Sequence, residues 1–376
     1  MLAKTPPMGF NTWNTFGENI SDKMIRETAD AMVEKGLLAA GYNYLVIDDC
    51  WSEKERDAAT GKIVPDHVKF PAGMKAVSDY VHGKGLKFGM YSCAGTRTCA
   101  NYPGSFDHEF LDAETFAEYG ADFLKYDFCN RPQTCDGPLL YKRISMALKA
   151  SGREILLSAC NWGCDNVHEW IRSAGAQMYR STGDIFDNFV SFRDIFLSQI
   201  DKFAYSAPGC FNDIDMLTVG MYSEGNVGGD GRGCTDTEYK TEFALWCMFG
   251  APLMLGCDVR KINDVTLKLV TNKNLIRINQ DEEARPPFSC FEANNGLRRV
   301  FVKVLSDNEF AIMFLNLCDG RERPFLILED MGIPVATGKG LHLTDAFTGE
   351  DAGVVHEYME QWLEPHDCAV YLAKIV

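Results

Sequence analysis

Phe123-Leu124-Lys125-Tyr126-Asp127 is a short apolar and aromatic run that ends on a carboxylate, and seven further runs of the same kind punctuate the chain. In order they are Met8–Trp13, Tyr42–Asp48, Lys87–Ser92, Glu154–Cys160, Met178–Thr182, Asp213–Val219 and Pro252–Asp258. Amphipathic stretches separate them, and strand alternating with helix is the pattern of a parallel sheet. The clearest helix is Asp22–Lys35, with Ile25, Ala29, Met32 and Val33 on one face. Ser21 is its candidate N-cap and Gly36 its candidate stop. Eight strand–helix units in roughly 280 residues predict a (β/α)8 barrel of the α/β class.

The texture changes after Asn279-Gln280-Asp281. Short alternating runs follow at Arg298–Leu305, Glu309–Asn316, Pro324–Leu328 and Ala369–Ala373, with turn residues between them and no helical pattern. A catalytic barrel over residues 1–285 and an antiparallel β-sandwich over 286–376 are therefore expected. The Gly-rich stretch Gly225–Gly233 lacks phosphate-loop spacing. It reads as a loop after the seventh strand, either a substrate-rim segment or a plain linker.

Composition narrows the function. Of 376 residues 46% are hydrophobic and 24% charged, an ordinary globular mixture with ample material for a core. A net charge of -16, with Lys and Arg scattered rather than striped, argues against nucleic acid as a partner. No window approaches a membrane span, and Met1-Leu2-Ala3-Lys4 runs into Thr5-Pro6-Pro7 without an apolar segment. The fourteen cysteines follow neither a disulfide framework nor zinc spacing. Mostly free thiols and a cytoplasmic location are expected. Self-association into a homo-oligomer stays open.

In a barrel the C-terminal strand ends converge on one mouth, where chemistry sits. Here those ends carry Asn11 to Asn14, Asp48 and Asp49, Tyr91, Lys125 and Asp127, Arg180 and Asp184, and Asp213 and Asp215. A lone Asp after a strand usually caps the next helix, and Asp258 reads as such a cap. Capping does not account for aspartates at four strand ends with aromatics beside them. Lys125 is a candidate Schiff-base lysine, but strand alternation puts Asp127 on its face, and a lysine paired with carboxylates keeps its proton and forms imines poorly. The seven histidines avoid every strand end, which disfavours a zinc barrel, and no metal or other cofactor is expected. Two carboxylates acting on a hydroxyl-rich substrate remain, the glycosidase arrangement, with Trp13, Trp51 and Trp162 as candidate sugar platforms.

Met8-Gly9-Phe10-Asn11-Thr12-Trp13-Asn14, Ile47-Asp48-Asp49-Cys50-Trp51, Leu124 to Asp127, Arg180 to Asp184, and Asn212-Asp213-Ile214-Asp215-Met216 together resemble glycoside hydrolase family 27, the α-galactosidase and α-N-acetylgalactosaminidase family. The motifs run in order along the whole barrel. The resemblance implies Asp127 as nucleophile and Asp184 as general acid/base. It further implies Asp48 and Asp49 on O4 and O6 of a terminal α-galactose, Trp13 against the sugar face, Lys125 on O3 and O4, and Tyr91 near the nucleophile. Arg180, Asp215 and Met216 fall toward O2, while Cys160 and Trp162 shape the pocket at C2. Cys99 lies at the rim and, with Cys129, matches a pair disulfide-bonded in secreted relatives. The substrate implied is a small molecule or oligosaccharide ending in α-galactose. Phe10, Asn161, Ile214 and Cys93 replace the usual Trp, Glu, Pro and Asp. Glu18 stands where plant relatives carry a Cys that pairs with the counterpart of Cys50.

Overall fold

The computed structural model describes residues 1–228 and 231–376. Its first sheet has eight parallel strands: β1 Met8–Asn11, β2 Tyr44–Val46, β3 Lys87–Cys93, β4 Phe123–Asp127, β5 Leu156–Cys160, β6 Met178–Arg180, β7 Phe211–Asp213 and β8 Leu253–Leu255. They pair in the order β7-β6-β5-β4-β3-β2-β1-β8. The ring closes just beyond β7, where the Leu217 amide donates to the Met254 carbonyl at 2.8 Å and the Gly256 amide to Leu217 at 3.0 Å.

Helices pack on the outside of this ring. Asp22–Glu34 is capped at its start by Ser21, whose hydroxyl accepts from the Met24 amide at 3.3 Å. Gly36 ends it with a φ of 77°, a backbone state that a Cβ disfavours. The ring interior is filled by Tyr44, Val46, Phe123, Leu156, Met178, Met216 and Met254. Gly9 lets β1 approach β2, since a Cβ there would lie 2.4 Å from the Tyr44 carbonyl oxygen.

One strand differs from expectation. The seventh pairs with β6 over Phe211–Asp213, not over Asp213–Val219. Asp215 has a φ of 88° and turns the chain out of the ladder, so Leu217 rejoins the barrel against β8. Asp258 also departs from the reading given it. Its carboxylate accepts from Nε and Nη2 on one edge of the Arg260 guanidinium at 2.8 and 2.9 Å, while Asn263 caps the next helix, Asp264–Val270.

A second, antiparallel sheet of six strands follows, β9 Phe288–Ala293, β10 Arg298–Val304, β11 Glu309–Asn316, β13 Leu341–Asp345, β14 Asp351–Val355 and β16 Cys368–Ile375, in the order β14-β13-β16-β11-β10-β9. A hairpin-like pair, β12 Phe325–Ile327 and β15 Tyr358–Glu360, completes the sandwich over a core that includes Val300, Ile312, Phe314 and Leu341. The sandwich meets the barrel through buried contacts. Lys303 donates to the Ile278 carbonyl at 2.9 Å, and burial pulls its ammonium down to about 8. Among the described residues no helix is long and apolar enough to cross a membrane.

Candidate active site

Each strand end delivers its side chain through hydrogen bonds that fix it. Asp48, past β2, takes Nδ2 of Asn11 at 2.7 Å and Nζ of Lys125 at 2.8 Å on the same oxygen. Asp49 beside it accepts the Cys50 and Ala100 amides at 2.7 and 3.1 Å, although burial still raises its carboxyl. Burial alone would discharge Lys125, but Asp48, Cys160 and Asp127 around it win and raise its pKa. The lysine stays an ammonium, which removes the imine-forming alternative.

Asp127 closes β4. The Tyr91 hydroxyl donates to its Oδ2 at 2.9 Å and the Phe128 amide to its Oδ1 at 2.8 Å. Burial raises the Asp127 carboxyl, opposed by Lys125, the two hydrogen bonds and Arg180. Burial also raises the Tyr91 hydroxyl, so it remains a donor. Cys99 is disulfide-bonded to Cys129, with 5.2 Å between their α-carbons, and its Sγ lies 3.6 Å from Asp127 Oδ2. Those two sulfurs and Asp127 are close enough together to hold an ion, but disulfide sulfurs are not thiolates and the trio does not fit a metal.

Arg180, at the end of β6, bridges two acids. Its Nη1 lies 3.2 Å from Asp215, and its Nη2 is hydrogen-bonded to Asp184. Asp215 in turn accepts the Met216 and Ile185 amides at 2.7 and 2.8 Å. The Asp184 side chain is 68% exposed. Desolvation raises it, yet the charge and hydrogen bond of Arg180 prevail and hold it below the ordinary carboxylate value. A general acid must hold its proton at working pH, and this environment works against that.

All thirteen residues predicted to act or to bind border one pocket: Trp13, Asp48, Asp49, Tyr91, Cys99, Lys125, Asp127, Cys160, Trp162, Arg180, Asp184, Asp215 and Met216. Trp51 does not. It is buried, donates Nε1 to the Tyr91 carbonyl at 2.9 Å, and packs edge-on against Phe116 and Tyr119 as core. Asp213 lies beneath the pocket rather than in it, pushed up to about 6 chiefly by burial. Asn161 is buried with Nδ2 donating to the Cys164 carbonyl at 2.9 Å, outside the pocket lining. Trp162 beyond it, at a φ of 59°, stands half open at the mouth.

Sequence reasoning left the Gly-rich stretch open as a substrate-rim segment or a linker, but singled out neither Val227 nor Asp187. Val227, inside the Gly-rich stretch, forms part of the pocket wall. Its carbonyl accepts the Asp187 amide at 3.0 Å, and its own amide donates to the Asn14 carbonyl at 3.1 Å. Asp187 is wholly buried and accepts the Ser223 amide at 2.6 Å and the Tyr239 hydroxyl at 2.8 Å. Nothing local in sequence marks either contact, because both join segments far apart in the chain. Residues 229 and 230 of that stretch lie outside the described residues.

A (β/α)8 barrel whose mouth carries a buried carboxylate, an exposed one and a ring of polar groups has the fold and site of a glycoside hydrolase. The family follows from comparison. Residues 5–281 match the model described as alpha galactosidase A, and residues 295–373 match the alpha galactosidase C-terminal beta sandwich domain. The chain belongs to glycoside hydrolase family 27 and is a retaining exo-glycosidase. It is 40% identical over 372 residues to an alpha-galactosidase of Cyamopsis tetragonoloba, covering 99% of this chain and 86% of that one. Alpha-galactosidase I of Mortierella vinacea superposes with a TM-score of 0.91 at 30% identity, over 99% of this chain and 97% of that one. A β-L-arabinopyranosidase of Geobacillus stearothermophilus shares the fold, with a TM-score of 0.88 at 23% identity over 99% and 97% of the two chains.

Proposed function

We propose that the enzyme releases terminal α-D-galactose by double displacement, with Asp127 as nucleophile and Asp184 as acid/base. The observation that carries this reading is the contrast between two carboxylates in one pocket. Asp127 is buried and aimed by two hydrogen bonds, as an attacking group must be; Asp184 is open to solvent, where a leaving oxygen and later a water can reach it. In the first step the Asp127 oxygen bonds to the anomeric carbon while the glycosidic bond breaks and the leaving oxygen takes the Asp184 proton. In the second, Asp184 removes a proton from water, which attacks the same carbon and frees Asp127.

Asp48, Asp49 and Lys125 form the polar cluster suited to O4, O6 and O3, and Arg180 with Asp215 suits O2. The names of the Cyamopsis and Mortierella relatives agree with galactose. The turn of Asn161 away from the pocket leaves Cys160 and Trp162 to crowd C2, which disfavours an acetamido group. The assignment divides the chain near residue 285, between the helix Lys273–Asn279 and strand β9. A cytoplasmic location rests on the cysteines outside the single disulfide, twelve of them, which suit a reducing compartment.

The competing substrates are an α-N-acetylgalactosaminide and a β-L-arabinopyranoside, which lacks the C6 group; a silent sugar-binding protein is the reading from another class. The kcat/KM values for the three p-nitrophenyl glycosides decide among them. A buried carboxylate left without its O6 partner costs about 1–3 kcal/mol, so the galactoside is expected to lead the arabinopyranoside by roughly tenfold to a hundredfold. Either rival ranking above the galactoside would overturn that half of the reading, and turnover of none would favour the silent binder.

A further inference from the structure

Asp213, the last residue of β7, is buried beneath the pocket and does not border it. We propose that it is a positioning residue of the reaction, fixing Asp215 from below and governing Asp184 through Asp215 and Arg180. This rests on the reading of Asp184 as acid/base and adds the residue that controls it.

The chain of contacts starts at a turn. Asp213 Oδ1 accepts the Asp215 amide at 3.0 Å, a side-chain bond that closes the backbone over two residues. Asp215 has a φ of 88°, a state that a Cβ disfavours. The Asp213 bond holds the turn there, together with Trp246 Nε1, which donates to the Asp215 carbonyl at 2.9 Å. Asp215 then reaches Asp184 by two routes. Its Oδ2 accepts the amide of Ile185, next to Asp184, at 2.8 Å. Its Oδ1 lies 3.2 Å from Nη1 of Arg180, whose Nη2 is bonded to Asp184. Displacing Asp215 therefore moves both the backbone beside the acid and the guanidinium that holds it.

Asp213 also brings charge to the same guanidinium. It stands opposite Arg180 in the β6–β7 register and borders a small cavity that Arg180 and Asp215 share. Lys125 from β4 and Cys160 from β5 face that cavity too, the first an ammonium and the second kept a neutral thiol by burial. β1 and β8 contribute Asn11 and Met254, which carry no charge. Burial pushes the Asp213 carboxyl up to about 6, Asp215 adds to the rise, and Arg180, the Asp215 amide and Lys125 oppose it. Above mildly acidic pH it is therefore a carboxylate that competes with Asp184 for Arg180. Sharing one cation weakens its hold on each acid, so the charge on Asp213 helps Asp184 keep its proton.

The test is Asp213→Asn, whose amide oxygen still accepts the Asp215 amide but which carries no charge. On an alkyl α-galactoside, kcat at the acid end of its pH profile is expected within about twofold of the parent enzyme, because the turn is kept. The alkaline limb of kcat is expected to move to lower pH by about one unit, since Asp184 loses its proton earlier. Asp213→Ala removes the acceptor as well, and should add a loss in kcat of about tenfold to a hundredfold at every pH. An unmoved limb in Asp213→Asn, a uniform loss there without a shift, or an Asp213→Ala enzyme as fast as Asp213→Asn would overturn the proposal. Asp184→Ala, measured alongside, tests the reading beneath it. Equal losses in that variant on the alkyl galactoside and on a dinitrophenyl galactoside, which leaves without a proton, would sink the acid/base assignment itself.

Discussion

Arg180 Nη2 donates a hydrogen bond to Asp184 Oδ1, four residues along the chain from one to the other. The pair sets the protonation of the proposed acid. Arg180 holds Asp184 low, so in the free enzyme its proton is lost early as pH rises. On the proposed galactoside reading, a bound substrate would take water away from this exposed carboxyl and offer Arg180 the O2 hydroxyl, and both changes would raise its pKa.

The pH profiles should therefore separate. Since kcat/KM reports the free enzyme and kcat the complex, the alkaline limb of kcat is expected at higher pH than that of kcat/KM. Profiles measured on an alkyl α-galactoside, which needs the acid, check this. Coincident limbs, or the reverse order, would show that substrate does not release Asp184 from Arg180.

Asp187, three residues beyond Asp184, ties the acid's loop to Ser223, Cys234 and Tyr239. In Asp187→Asn one acceptor becomes a donor facing these donors, and the loop shifts. Turnover of an alkyl galactoside should fall about tenfold to a hundredfold, part of what general acid catalysis contributes. A dinitrophenyl galactoside, which leaves without a proton, should lose only a few-fold. Equal losses on the two substrates would mean that Asp187 serves stability and not the placement of Asp184.

The strand runs of the barrel could be read because their residues face helices on one side and a packed interior on the other. β4, Phe123–Asp127, is the clearest case, and in the second sheet β11, Glu309–Asn316, is likewise buried on both faces over most of its length. The seventh strand was misplaced because its signal, Asp213 to Val219, is apolar on both sides of the turn at Asp215, and a φ of 88° leaves no mark on a non-glycine residue. β9 and β14 escaped notice because most of their side chains are exposed or half-buried, so no alternation shows in the residues. In the site, the pocket residues were legible from motif order and strand ends. The contacts of Val227 and Asp187 were not, since they depend on a loop crossing the mouth to reach Asn14. The depressed Asp184 was also out of reach, because it depends on which neighbour Arg180 touches.

The Cys99–Cys129 disulfide closes a loop of sequence separation 30. Such a closure is worth about 3–4 kcal/mol in the chain-entropy account. The same loops are also held without it. Asn130 donates to the Thr98 carbonyl at 2.9 Å, and the Ala94 amide donates to the Asp127 carbonyl at 2.8 Å. Dithiothreitol, or Cys129→Ser, should thus lower Tm by a few degrees while kcat stays within about threefold. Complete inactivation on reduction would mean that the bridge is obligatory and would contradict a reducing compartment.

The proposed double displacement depends most directly on Asp127. A fluorinated α-galactosyl fluoride that glycosylates the enzyme quickly and leaves it slowly should trap the covalent intermediate, and peptide mass spectrometry of an acidic digest locates the label. The expected result is one galactosyl group per chain, on the peptide carrying Tyr126-Asp127-Phe128, and none in Asp127→Ala. A label on Asp184 or any other residue, or turnover with no trapped species at all, would contradict the assignment.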